Sequence, residues 1–193
     1  MRLGARILRS LVLVPMLSFA TETPEAAGKM DYTSGIDFGC AEEVSLPDSV
    51  HVFLEDRIQK EGRLGVANWL DRAARSDLNG DGAGEYLIPY DCGGTGFCIW
   101  ALFDGATLQH LGNLEAAVIY LTPPRKKQWP PVETFFRNGD TEAWVATYQS
   151  RGSRYTRGSW SRLFDPTGTG AIRRYLSSRP AVDCPSPPGA STP

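Results

Sequence analysis

Asp77-Leu78-Asn79-Gly80-Asp81-Gly82-Ala83-Gly84-Glu85-Tyr86-Leu87-Ile88 sets oxygen donors at alternate positions around Gly82, then runs straight into an apolar triplet. Hard Ca²⁺ takes about six to eight oxygen ligands, and this spacing supplies most of them: the side chains of Asp77, Asn79, Asp81 and Glu85 and the carbonyl of Ala83. Gly82 falls where such a loop must turn sharply. A helix–loop–helix calcium site would close with an acid at the twelfth position, but here that position is the apolar Ile88. The loop is therefore expected to close at its ninth residue, Glu85, and feed a β-strand. The competing reading is an ordinary Asx- and Gly-rich turn. Three carboxylates this close repel one another unless a cation neutralises them, which favours the metal. Calcium modules outside the cell bind with dissociation constants of about 10⁻⁴ to 10⁻³ M, so such a loop suits a calcium-rich compartment.

Outward from the loop, short apolar segments alternate with turn residues. Strands are predicted at about 85–90, 97–103, 107–112, 115–121, 132–137, 142–149 and 153–160. Asp104-Gly105, Asn138-Gly139 and Gly152-Ser153 are hairpin-type turns between them. Upstream, residues 47–61 carry Val50, Phe53, Leu54 and Ile58 at helical spacing, with Ser45 or Asp48 as a cap and Gly62 near the end. Residues 66–74, around Trp69 and Leu70, read equally as a second helix or a first strand. The fold class expected is α+β, mainly β: an antiparallel meander or sandwich-like sheet of about six to seven strands with an N-terminal amphipathic helix. One copy of the loop and no internal repeat exclude a β-propeller. The Pro-rich stretch 123–131 is expected to be a rigid exposed excursion.

Arg2, Arg6 and Arg9 precede the apolar run 11–17 and then Ser18-Phe19-Ala20, the pattern of a secretory signal peptide with cleavage after Ala20. A spanning helix needs about 18 or more apolar residues, and this run is shorter and contains Pro15. Residues 1–20 are thus expected to be a signal peptide, 21–39 a flexible leader, 40–184 a single calcium-stabilised domain and 185–193 a disordered Pro-rich tail. The expected compartment is the periplasm or the exterior, with no membrane insertion after cleavage. Cleavage would remove three arginines and no acid, leaving 17 basic against 22 acidic side chains. Four cysteines in an exported chain favour two disulfides. Cys92 and Cys98 flank a Gly-rich turn and form the local pair, so Cys40 and Cys184 would join the start of the domain to its end. The alternative for Cys92 and Cys98, a metal or redox pair, finds neither a nearby His nor a Cys-x-x-Cys spacing.

The run from Asp77 through Cys98 resembles a pattern common in small exported bacterial proteins of unknown function that carry a single integrin-like (FG-GAP) calcium loop. Its pieces here are the Asp-x-Asn-Gly-Asp-Gly-x-x-Glu-Tyr loop from Asp77 to Tyr86, a strand, the Gly-rich turn between Cys92 and Cys98, and an aromatic strand. Trp129-Pro130 and Gly152-Ser153-Arg154-Tyr155 are similar to that group more loosely. The resemblance covers about half the chain, and its cysteine turn carries one extra residue. It implies a calcium-dependent β-domain and no particular activity.

Catalytic chemistry is thinly represented. The chain has only two histidines, His51 on the predicted helix and His110 in a strand, and it lacks a nucleophile elbow, a zinc-protease helix and a phosphate-binding loop. Glu42, Glu43, Glu55, Asp56, Glu115, Glu133 and Glu142 are available as acids, but no spacing marks a glycosidase pair. Arginines interleaved with aromatics near the C-terminus, Arg151, Arg154, Tyr155, Arg157 and Trp160, form a possible binding surface, as against a hairpin whose charges protect a sheet edge. A net-acidic exported chain is a poor partner for nucleic acid, whereas an envelope protein or a glycan remains open. The function expected is a non-catalytic binding or structural role at the cell envelope, with Ca²⁺ as the bound ion. The alternatives are an inhibitor of an exported enzyme such as lysozyme and an envelope hydrolase acting on glycan.

Overall fold

The apolar runs that follow the loop are buried on both faces, which is why they read as continuous rather than alternating. In the computed structural model, which describes residues 30–61, 69–93, 96–124, 128–166 and 170–184, they lie in the middle of a layered β-structure. The predicted signal peptide, the first part of the leader and the tail 185–193 lie outside the described residues. Ten strands form two antiparallel five-stranded sheets. The first sheet takes β1 (Ser34–Asp37), β7 (Val118–Leu121), β8 (Val132–Arg137), β9 (Glu142–Arg151) and β10 (Arg154–Phe164), in that order. The second takes β2 (Glu42–Glu43), β3 (Arg72–Ser76), β4 (Glu85–Cys92), β5 (Cys98–Phe103) and β6 (His110–Ala116). Two α-helices, α1 (Asp48–Lys60) and α2 (Ala171–Ser177), and a short 3-10 helix at Phe38–Cys40 complete the described elements.

Alternation along β4 and β5 sorts their side chains into two clusters. Leu87, Cys98, Trp100 and Leu102 join Ile36, Ile119, Leu121, Val132, Ala146 and Tyr148 in the core between the sheets. Ile88, Ala101 and Phe103 face the other way, where Val50, Leu54 and Ile58 of α1 cover them. The helix thus buries the stripe its spacing predicts. Its N-cap is Pro47, at a non-helical ψ of 142°, and neither Ser45 nor Asp48 provides the expected side-chain cap. On the far side, Ile172 and Tyr175 of α2 pack on Tyr120 and Phe135 of the first sheet.

The mainly β, antiparallel architecture is as expected, but the meander or sandwich-like sheet of about six to seven strands is corrected to two five-stranded sheets, ten strands among the described residues. The chain leaves the second sheet at Ala116, opposite Cys98, and enters the first at Val118, opposite Asp37 and Phe135. The amide of Ala117 bonds to the Phe135 carbonyl at 2.8 Å, which fixes that crossing. Residues 72–76 are a strand rather than part of a second helix. The leader is also corrected, because it is ordered from β1 onward: Ile36 is fully buried, and Ser34 to Asp37 pair with β7. Apolar Ile36 within a small-residue stretch is enough to complete a sheet edge that would otherwise be bare.

Both expected disulfides are present, Cys92 to Cys98 across the β4–β5 hairpin and Cys40 to Cys184 over a separation of 144 residues. Closing the longer loop removes roughly 5 kcal/mol of unfolded-state freedom in the chain-entropy model. Among the described residues no helix is long and apolar enough to cross a membrane. Within the Pro-rich stretch Pro123, Pro124 and Gln128 are exposed, whereas Trp129 packs on the core and Pro130 is buried, its carbonyl accepting the Tyr155 hydroxyl at 2.7 Å; residues 125–127 lie outside the described residues. The two sheets meet closely at Gly112, whose φ is +143° and where a Cβ would stand 2.7 Å from the Tyr155 carbonyl oxygen.

Candidate functional site

The loop 77–84 joins β3 to β4, and Ser76 opposite Glu85 is the last pair of that hairpin. Its acidic side chains fold onto its own backbone. Asp77 Oδ1 accepts the amides of Gly80 (2.7 Å) and Asp81 (3.2 Å), and its Oδ2 accepts that of Gly82 (3.0 Å). Asn79 Oδ1 accepts the Asp81 amide at 2.9 Å, and Asp81 Oδ1 accepts the Ala83 amide at 2.7 Å. These bonds orient the oxygens; Asp77 Oδ1 already accepts two amides, whereas Asp77 Oδ2, Asn79 Oδ1 and Asp81 Oδ1 each keep a second lone pair for a cation.

Glu85 closes the loop from beneath. Its side chain is fully buried, Oε2 accepts the Leu78 amide at 2.5 Å, and Oε1 has no hydrogen-bond partner among the described residues. Burial, helped by the nearby charges of Asp81 and Asp77, pushes its carboxyl up to about 7. A buried carboxylate with an orphaned oxygen beside two further acids is costly without a counter-ion. Two neighbours brace the loop's exit. Arg75 donates to the Gly84 carbonyl at 3.0 Å while its guanidinium lies 4.6 Å from the Tyr86 ring centroid. Gly105, in the β5–β6 turn, sits so close that a Cβ there would lie 2.2 Å from the Gly84 oxygen. Among the described residues no three Asp, Glu, His or Cys side chains form a ready-made metal cage. The donor set of Asp77, Asn79, Asp81, Glu85 and the Ala83 carbonyl is all oxygen, which fits a hard cation.

The arginine-aromatic cluster divides. Tyr155 is only 5 % exposed and belongs to the core between the sheets, so it is not a surface residue. Arg151 and Arg154 are exposed and lie opposite each other at the hairpin tip. Arg157 and Trp160 are exposed on β10, with the guanidinium 4.4 Å from the Trp160 ring centroid. Sequence reading missed Trp144 and Phe136, whose rings lie 4.8 and 6.0 Å from that of Trp160. Phe136 stands opposite Trp144 between β8 and β9, and Trp160 stands opposite Ala146, two residues along β9 from Trp144.

His110 is half-buried, against the rings of Phe53 (4.6 Å) and Phe103 (5.3 Å). Its Nε2 lies 2.9 Å from Asn113 Oδ1, and Asn113 in turn donates to the Tyr90 hydroxyl at 3.1 Å. Burial lowers its pKa, opposed by the Asn113 bond and aided by the charges of Arg57 and Arg154. This environment ties α1 to β6. Glu133, another acid considered, is 7 % exposed at its side chain and paired with Arg179 at 2.7 Å. Glu115 and Glu142 are paired with Arg157 and Arg162, each at 2.7 Å.

No protein-family model, no curated protein and no solved structure matches this chain.

Proposed function

We propose that this chain is an exported, calcium-stabilised, disulfide-bonded β-domain with a non-catalytic binding or structural role at the cell envelope. The observation that carries the reading is Glu85: a fully buried carboxylate with one oxygen unpartnered among the described residues, at the base of a loop whose Asp77, Asn79 and Asp81 oxygens are already oriented. Calcium held there by these side chains and the Ala83 carbonyl would neutralise the three acids and lock β3 to β4. The two disulfides support an oxidising compartment, where calcium at millimolar concentration would saturate a loop of modest affinity.

The test is the melting midpoint in excess calcium against that in chelator. A roughly 100-fold excess over the dissociation constant stabilises the native state by about 2.7 kcal/mol. Asp81→Ala should abolish that increment. An identical midpoint for the wild-type protein in calcium and in chelator refutes the metal reading.

A further inference from the structure

Cross-strand partners share a face of a sheet. Phe136 opposite Trp144, Trp144 opposite Arg162, Ala146 opposite Trp160 and Tyr148 opposite Arg157 therefore lie on one face of the first sheet, the face that carries core residues Ala146 and Tyr148. Toward β10 this face runs out from the core into solvent. A register shift between Arg157 and Ser159 makes Gly158 a bulge. Without it, Arg157 and Trp160, three residues apart, would point to opposite sides.

The result is a strip along β10 and β9. Trp160 and Phe164 are 40 % and 55 % exposed, two of the four exposed large hydrophobic residues among those described. Arg162 bridges Trp144 and Phe164, at 5.8 and 4.9 Å from their centroids. Scattered apolar side chains need no explanation, but a contiguous aromatic row marks a contact surface.

Charge and edge geometry decide what kind of contact. Arg157 is held by Glu115 and Arg162 by Glu142, both at 2.7 Å, so the strip's cations arrive neutralised. An acidic peptide or polyanion would meet those two carboxylates as well as the arginines and gain little. A protein adding a strand to the β10 edge would meet the Gly158 bulge and outward arginines, the devices that discourage such pairing. What remains complementary is an uncharged ligand with apolar faces and hydroxyl edges. It is also long, since residues 157–164 extend for about 20 Å at strand spacing.

We propose that this strip binds a linear, uncharged glycan, with sugar rings against Trp160, Trp144 and Phe164 and hydroxyls bonded to the Arg157–Glu115 and Arg162–Glu142 pairs. It names a partner for the binding role above and rests on that non-catalytic reading, while being independent of the calcium site. The experiment is a calorimetric and tryptophan-fluorescence titration of the purified protein with chitohexaose, cellohexaose and maltohexaose, with heparin as a polyanion control and sedimentation velocity for self-association. At least one neutral hexasaccharide should bind, Trp160→Ala should weaken it tenfold or more, and Arg151→Ser/Arg154→Ser at the hairpin tip should leave it unchanged. If Trp160→Ala lowers the melting midpoint, Phe164→Ala, at a more exposed ring, decides with an expected loss of threefold or more. Failure of all three sugars to bind at millimolar concentration overturns the proposal, as does tighter binding of heparin or a dimer that Trp160→Ala dissolves. A calcium-dependent midpoint together with no sugar binding would sink this inference alone.

Discussion

Replacing Arg179 tests how the outer face of the first sheet is closed. Arg179 Nε donates to Glu133 Oε1 at 2.7 Å, and the Tyr175 hydroxyl donates to the same oxygen at 2.5 Å. The guanidinium lies 4.6 Å from the Tyr32 ring centroid and 4.4 Å from that of Tyr175. The pair is shielded, with side chains 18 % and 7 % exposed, and it joins β8 to α2 and to the segment leading to Cys184. Burial and the bond to Glu133 both raise the Tyr175 pKa, as expected for a phenol donating to a desolvated carboxylate. Arg179→Met keeps most of the stem between the two rings but leaves Glu133 buried without a counter-charge, at a cost of about 3–5 kcal/mol. For a chain of this size that is a fall in midpoint on the order of 6–20 °C. Converting both partners, Glu133→Leu with Arg179→Met, removes the stranded charge and should recover much of the loss, giving a coupling of about 2 kcal/mol or more. Chemical denaturation of wild type, both single variants and the double variant completes the cycle. A single-variant cost below about 1 kcal/mol, or simple additivity, would show that the pair is effectively solvated and refute the reasoning.

Two further outcomes concern the loop. Gly105→Ala places a methyl 2.2 Å from the Gly84 oxygen and 2.6 Å from the Gly84 carbonyl carbon, so the β5–β6 turn must back away from the residue between Ala83 and Glu85. It should cost about 1–3 kcal/mol and shrink the calcium-induced rise in midpoint, whereas an undiminished rise would separate the turn from the loop. In chelator, the raised pKa of Glu85 means that the native state binds the extra proton, so its stabilising contribution is complete below about 4.5 and is lost as pH rises through about 7. Urea midpoints across that window should fall for the calcium-free wild type and flatten in Glu85→Gln; a flat wild-type profile would contradict the burial argument.

Features set by neighbouring residues were the most legible in the sequence. Val50, Leu54 and Ile58 recur at helical spacing and are buried as that spacing requires. Residues 132–137 were predicted as a strand and β8 has those bounds. Cys92 and Cys98 stand opposite each other because the glycine turn brings them there. Illegible features depended on partners remote in sequence. The leader looked featureless until β1 paired with β7, and α2 carries only Ile172 fully buried, too weak a stripe to announce a helix. Tyr155 sat among arginines in the sequence, yet its hydroxyl reaches Pro130 and removes it from the surface.

The sequence by itself determined the oxygen spacing of the loop 77–85, the hairpin that loop must close, the helix after Pro47 and the local Cys92–Cys98 pair, because each follows from geometry over a few residues. Only the tertiary structure decided that the strands split into two sheets at Ala117, that Glu85 is buried with an oxygen unpartnered, and that Gly158 turns Arg157 onto the same face as Trp160. Those outcomes depend on register between strands far apart in the chain, and a one-residue change of register carries a side chain from one face of a sheet to the other.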